Sequence, residues 1–300
     1  MPVSVTAPVT APATLPLGVF DSGVGGLTVL SALQRALPHE DFIYLGDTAR
    51  LPYGGKPLDM VRGFAEEISD ALVARGVKGI VVACNTASAA ALPGLAARLA
   101  VPVWGVVEPG VKAAVKAAGG GRVAVLATQA TIRSRAYQSR LEAAGLATWA
   151  KACPLFVPIV EEGVSDTAIA RLVAKHYLDA RPLLSAAILG CTHYPILKPI
   201  LREVLGPEVV LVDSAEETAA VVAGELLRLG LATAALQNSG NGPGKVQHLV
   251  SGDLSSYVHT ARGMGGPAGS VERISFGEGG SHEAKPSPSR GQADYHHTRL

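Results

Sequence analysis

Two hydrophobic patterns alternate along the chain. Short apolar, mostly β-branched runs predict strands at Gly18–Phe20, Phe42–Leu45, Gly79–Val82, Val103–Val107, Arg122–Ala127, Ala187–Leu189 and Val209–Val212. Between them, apolar residues return every three or four positions. Leu27, Leu30, Leu33 and Leu37 share one helical face, and Met60–Ala74, Thr131–Ala144, Asp166–Asp179 and Glu216–Leu229 show the same period. Strand–helix alternation predicts an α/β fold of doubly wound parallel sheets with helices on both faces. Ligands of such sheets bind beyond the carboxyl ends of the strands.

The pattern weakens at both ends. Residues 1–16, rich in Pro, Ala, Thr and Val, read as a flexible leader. Gln237–Gly244 is a polar, glycine-rich loop, and Val246–Val250, Asp253–Arg262 and Val271–Phe276 then read as strand, helix and strand. Gly277–Leu300, with Pro286 and Pro288 among Gly, Ser and His, is expected to be disordered.

Composition narrows the function. Of 300 residues, 48% are hydrophobic, enough for a sizeable core. Lys and Arg (26) nearly balance Asp and Glu (25), so no basic block suggests nucleic acid and no charge run a membrane surface. A small molecule is the partner that remains. No apolar run approaches the roughly 18–20 residues of a bilayer span. The leader lacks the basic start of a signal peptide, so a cytoplasmic location is expected. Three cysteines, Cys84, Cys153 and Cys191, make no disulfide framework, and no paired-ligand spacing predicts a metal.

The chain also echoes itself. A shift of 107 residues lays Gly79–Cys84 on Ala186–Cys191, both apolar runs ending in a small residue and a cysteine. The same shift lays Phe20-Asp21 on Ala127-Thr128. Two similar α/β units facing each other would bring both cysteines to one cleft.

Chemistry-bearing residues cluster at predicted strand ends. Asp21-Ser22-Gly23-Val24-Gly25-Gly26 is either a tight strand–helix turn with a capping side chain or an anion cradle of backbone N–H groups. Thr48–Pro57 is either a plain connection or a binding loop, with Tyr53 and the amides near Gly54 as its polar groups. A cysteine ending an apolar strand is commonly a small buried hydrophobe. Cys84, however, precedes Asn85 and Thr86 at a helix start, where a thiolate and a bound carboxylate are both stabilised. Cys191-Thr192-His193-Tyr194-Pro195 repeats that layout, and His193 is either a helix cap or a proton carrier for Cys191. Glu161-Glu162 is either a solvated turn or a carboxylate at the cleft rim. Cys153 reads as structural, and His39, His176, His248 and His259 as surface residues.

Together these stretches resemble glutamate racemase, of the aspartate/glutamate racemase family. The resemblance rests on Phe20–Leu27, Tyr44–Arg50, Pro52-Tyr53-Gly54, Ala83–Ser88 and Leu189–Pro195. Glu108-Pro109-Gly110, Ala130-Thr131-Ile132, Phe156–Gly163 and Val212-Asp213-Ser214 extend it over roughly Leu17 to Phe276. It implies two pseudo-symmetric domains with the active site between them, 17–108 plus 213–276 and 109–212. It implies Cys84 and Cys191 as the acid/base pair; Asp21 and His193 read as the proton handlers of Cys84 and Cys191 respectively. Substrate would be held by Asp21, Ser22, Tyr53, Gly54, Asn85, Thr86, Thr128, Thr192 and His193, with Glu161 nearby. No cofactor is implied, D-glutamate would serve the peptidoglycan wall, and such enzymes are often homodimers. The chain departs from the family at Ala127, where glycine is usual, and in its leader, glycine-rich loop and tail.

Removing the α-proton from one face and delivering one to the other calls for two acid/base groups, which paired cysteines supply. Three rivals remain at this stage: a racemase for aspartate or another amino acid, a cysteine–histidine hydrolase, and a non-catalytic module that binds a small anion.

Overall fold

The computed structural model describes residues 12–233, 242–267 and 269–276. Two parallel sheets organise it. The first is built from β1 (Leu17–Asp21), β2 (Phe42–Gly46), β3 (Gly79–Val82), β4 (Val103–Gly105), β9 (Val246–Val250) and β10 (Ser270–Arg273), in the order β10-β9-β2-β1-β3-β4. The second contains β5 (Val123–Ala127), β6 (Thr148–Ala152), β7 (Ala186–Gly190) and β8 (Val210–Asp213), in the order β6-β5-β7-β8. Helices α1 (Leu27–Ala36), α2 (Leu58–Val73), α3 (Asn85–Arg98) and α4 (Val107–Ala118) connect the early strands. Next come α5 (Gln129–Ser134), α6 (Ala136–Ala143), α7 (Phe156–Glu161), α8 (Ala168–Leu178), α9 (Lys198–Leu205), α10 (Ser214–Leu229) and α11 (Leu254–Ala261). The fold is therefore two α/β units with all-parallel sheets.

The central strands are buried on both sides, which is why they read as unbroken apolar runs. Alternate residues face different cores. Val81 and Ala124 join one apolar cluster shared by both sheets, while Ile80 packs on the outer face of the first sheet and Val125 on that of the second. In each sheet the strand order reverses about its first strand: β1 pairs with β2 on one side and β3 on the other, and β5 likewise with β6 and β7. A crevice opens at such a reversal. The internal echo holds to within one residue of register, since Phe20 pairs with Val82 and Ala127 with Gly190. Ala127, the departure from the usual glycine, is fully buried opposite that glycine.

Some expectations change. Val103–Val107 ends as a strand at Gly105, because the Val106 N–H turns to Ser88 Oγ (3.3 Å) and Val107 opens α4. The predicted helix Thr131–Ala144 breaks in two at Arg135, whose φ of 55° is left-handed. Ser134 Oγ occupies the break, donating to Thr131 O and accepting from Ala136 N. The half-buried strand β6, Thr-Trp-Ala-Lys-Ala, lies at a sheet edge and carries no apolar run to announce it. His248 is not a surface residue: it is buried on β9, its Nδ1 2.9 Å from the Tyr257 hydroxyl. His39, His176 and His259 are exposed. The last residues of the leader are described and pinned, with Lys78 Nζ donating to Ala13 O at 2.6 Å. Residues 1–11, most of the glycine-rich loop (237–241) and the tail 277–300 lie outside the described residues. No helix among those described is long and apolar enough to cross a membrane.

Candidate active site

The two crevices face one another across a single cleft of about 220 Å³. Ser22, Tyr53, Gly54, Cys84, Asn85 and Thr86 line it from the first unit; Thr128, Glu161, Cys191, Thr192 and His193 line it from the second. Asp21 lies fully buried next to this wall. The twelve residues singled out in the sequence thus converge, and Cys84 and Cys191 reach the cleft from different sheets.

On the first side, Cys84 lies two residues past the end of β3 and caps α3. Its Sγ accepts the Ala87 N–H at 3.5 Å. A helix N-terminus favours the thiolate. Burial outweighs it and, with the negative charge of Asp21 adding, pushes the Cys84 thiol up to about 12. The side chain touching this sulfur is that of Ser22, its hydroxyl at 3.9 Å, rather than the Asp21 carboxylate. Asp21 accepts from Gly23 N at 3.0 Å and from Thr192 Oγ1 at 3.4 Å. Burial raises its pKa, while the His193 cation and backbone N–H groups pull it back down.

On the second side, a line of three groups forms. Cys191 Sγ lies 3.7 Å from His193 Nδ1, and His193 Nε2 lies 2.9 Å from Glu161 Oε1. Burial alone would lower the histidine's pKa, but hydrogen bonds to Cys191 and Glu161 and their negative charges carry it up to about 10. At neutral pH His193 is therefore an imidazolium, with one N–H on sulfur and one on carboxylate. Glu161 closes α7, so it is a wall carboxylate and not a solvated turn.

The walls supply dipoles rather than cations. Neither Lys nor Arg lines the cleft among the described residues. Thr86, Thr128 and Thr131 form a triangle of hydroxyls 3.0–3.1 Å apart. Tyr53 cannot offer its phenol: the hydroxyl is bonded to Asp47, leaving only its backbone and the Gly54 amide for a ligand. Asp47 also accepts from Ser251 Oγ at 2.7 Å and Arg50 Nε at 2.7 Å, which anchors the loop under the cleft. Leu51, Pro52, Pro154, Val157 and Pro158 give an apolar mouth that strengthens every charge inside. Sequence reasoning quoted Asp47 and Thr131 only within stretches of the resemblance, gave them no role in the site, and passed over this mouth. Thr131 had one signal, its place three residues after the cap Thr128, whose Oγ1 accepts the Thr131 N–H. Cys153 lies buried outside the cleft lining, as its setting suggested. Among the described residues no group of three or more His, Cys, Asp or Glu could hold a metal ion.

A model of the Asp/Glu/hydantoin racemase family matches residues 25–222. The chain belongs to that family. Among its racemase relatives, a glutamate racemase of Thermus thermophilus is 55% identical over 264 residues, covering 88% of this chain and 97% of that one. The crystal structure of a Thermus thermophilus glutamate racemase in complex with β-chloro-D-alanine matches with a TM-score of 0.80, at 55% identity over 88% of this chain and 98% of that one. The Francisella tularensis glutamate racemase, crystallised with D-glutamate, matches with a TM-score of 0.80 at 34% identity, over 88% of this chain and 98% of that one. A racemase is an isomerase, and the cleft between the two sheets is where its chemistry is sought.

Proposed function

We propose that this chain interconverts L-glutamate and D-glutamate without a cofactor, using Cys84 and Cys191 as two bases on opposite faces of the α-carbon. One thiolate removes the α-proton while the opposite thiol delivers one, and the reverse reaction exchanges the roles. The reading is carried by one cysteine on each wall of a single cleft, each with its own polar partners. Helix N-termini and the hydroxyl and amide groups of Asn85, Thr86, Thr128 and Thr192 stabilise the carbanion-like transition state. The Tyr53 and Gly54 backbone holds the side-chain carboxylate. The D-glutamate produced supplies peptidoglycan synthesis in the cytoplasm.

Circular dichroism of L- or D-glutamate with the purified protein and no added cofactor tests this directly. Ellipticity should decay to zero from either side, and in deuterated water the product should carry solvent deuterium at the α-carbon. Aspartate run in parallel separates the two dicarboxylates. A signal that stays constant would end the proposal.

One observation favours a second reading. The line Cys191–His193–Glu161 has the connectivity of a hydrolytic triad. It leaves Cys84 without a role, and trapping an acyl group on Cys191 by mass spectrometry would be needed to sustain it.

A further inference from the structure

Asn85, the first residue of α3, lines the cleft beside Cys84 and is buried. Its amide has a donor end and an acceptor end, and they do opposite things to a carboxylate. One residue holds it in place. Tyr137, the second residue of α6, is fully buried in the second unit and reaches across to the first, where its hydroxyl donates to Asn85 Oδ1 at 2.5 Å. The ring passes over two glycines: a Cβ at Gly110 or at Gly190 would stand 3.4 Å from it. Backbone on two sides therefore fixes the direction of the phenol. Burial raises the phenol's pKa, so it stays a proton donor across the working pH range.

We infer that Tyr137 is a positioning residue that fixes the Asn85 amide with its oxygen turned away from the cleft and its NH2 group turned toward the substrate carboxylate. The inference rests on the racemase reading above. With Oδ1 engaged from behind, Nδ2 is the end left for a ligand. Without the phenol, the amide can rotate and present its oxygen, which repels a carboxylate.

The test is a double-mutant cycle on Tyr137→Phe and Asn85→Ala, with KM and kcat for glutamate and thermal melting of each protein. Tyr137→Phe keeps the ring and should raise KM about 3- to 10-fold, the loss of one aligned hydrogen bond, with kcat within about twofold. In the Asn85→Ala background the same change should leave KM where it was. An equal KM effect in both backgrounds, or an unchanged KM in Tyr137→Phe alone, overturns the assignment. Asn85→Asp, which leaves Tyr137 intact, tests independently whether this side chain faces the substrate carboxylate. With a donor facing the substrate it should weaken binding by about 100-fold or more, and an unchanged KM there also overturns it. The unaltered protein assayed alongside separates the two claims. Failure to racemise glutamate removes the racemase reading and this inference with it; normal turnover with a neutral cycle removes this inference alone.

Discussion

Replacing Glu161 by Gln should move the alkaline limit of activity downward. The change keeps the shape of the side chain, and the amide oxygen can still accept from His193 Nε2, so it isolates the charge. In the structure that carboxylate sits 2.9 Å from a buried imidazole and is itself 28% exposed. A full opposite charge at about 4 Å and an effective dielectric of 20 is worth about 4 kcal/mol. Partial exposure reduces this, and an opposite charge at such range shifts a pKa by about 1–3. A fall of roughly one to two pH units, about 1.4–2.7 kcal/mol, is the expected size. The sign follows from the cause: Glu161 raises His193, so its neutralisation lets the proton leave earlier. The imidazolium that persists to about pH 10 in the unaltered protein is then lost at roughly pH 8 to 9.

The assay is kcat/KM for racemisation, followed by circular dichroism from neutral to strongly alkaline buffer, for both proteins. The substrate's own ammonium group titrates in the alkaline range as well. The informative quantity is therefore the displacement between the two profiles. Enantiomers have equal free energy, so kcat/KM must be displaced equally whichever one is supplied. Superimposable alkaline limbs, or a limb that moves upward, would refute the role given to the His193–Glu161 pair.

Further outcomes follow from the same contacts. Cys84→Ser and Cys191→Ser should each lower kcat by roughly 10²–10⁴ while far-ultraviolet dichroism stays unchanged, and each variant should exchange the α-proton of only one enantiomer in deuterated water. Gly54→Ala should lower kcat/KM by about 10- to 100-fold, because the new Cβ would stand 2.7 Å from Thr128 Cβ on the opposite wall. Normal kinetics in that variant would mean that the walls do not close on this contact. Glu40→Ala should cost about 3–5 kcal/mol in urea unfolding, since Glu40 is the ion-pair partner of fully buried Lys78 and also binds Thr233. A loss under about 1 kcal/mol would show that the lysine finds another partner.

What was legible in the sequence was local. Each cysteine ends an apolar run and is followed by polar residues, a pattern contained in six or seven positions, and repetition of that pattern placed both at strand ends. Contacts between distant segments left no such mark. Glu161 and His193 are 32 residues apart and Asp47 and Ser251 are 204 apart, and each member alone looks like an ordinary polar residue. Tyr137 was hidden for the opposite reason: in its helix it is one more apolar-type residue, and only the path of its hydroxyl to Asn85 distinguishes it. The break at Arg135 escaped because a left-handed φ on arginine has no compositional cue, unlike one on glycine.

The two halves repeat a fold but not the surroundings of their cysteines, and the two-cysteine racemisation proposed above would use the difference. Were both sulfurs thiols, neither could take the α-proton; were both thiolates, neither could return one. Burial and the neighbouring Asp21 charge hold Cys84 as a thiol well past neutrality, while Cys191 shares its hydrogen bond with an imidazolium. The pair is thus set with one proton donor and one partnered sulfur before substrate arrives. In the two-cysteine mechanism proposed above, the assignment is reversed after a turnover, and the cycle closes only when it is restored. Asp21 and His193 are suited to that restoration because they feel each other: the cation of one lowers the pKa of the other, linking the two walls electrostatically across the cleft.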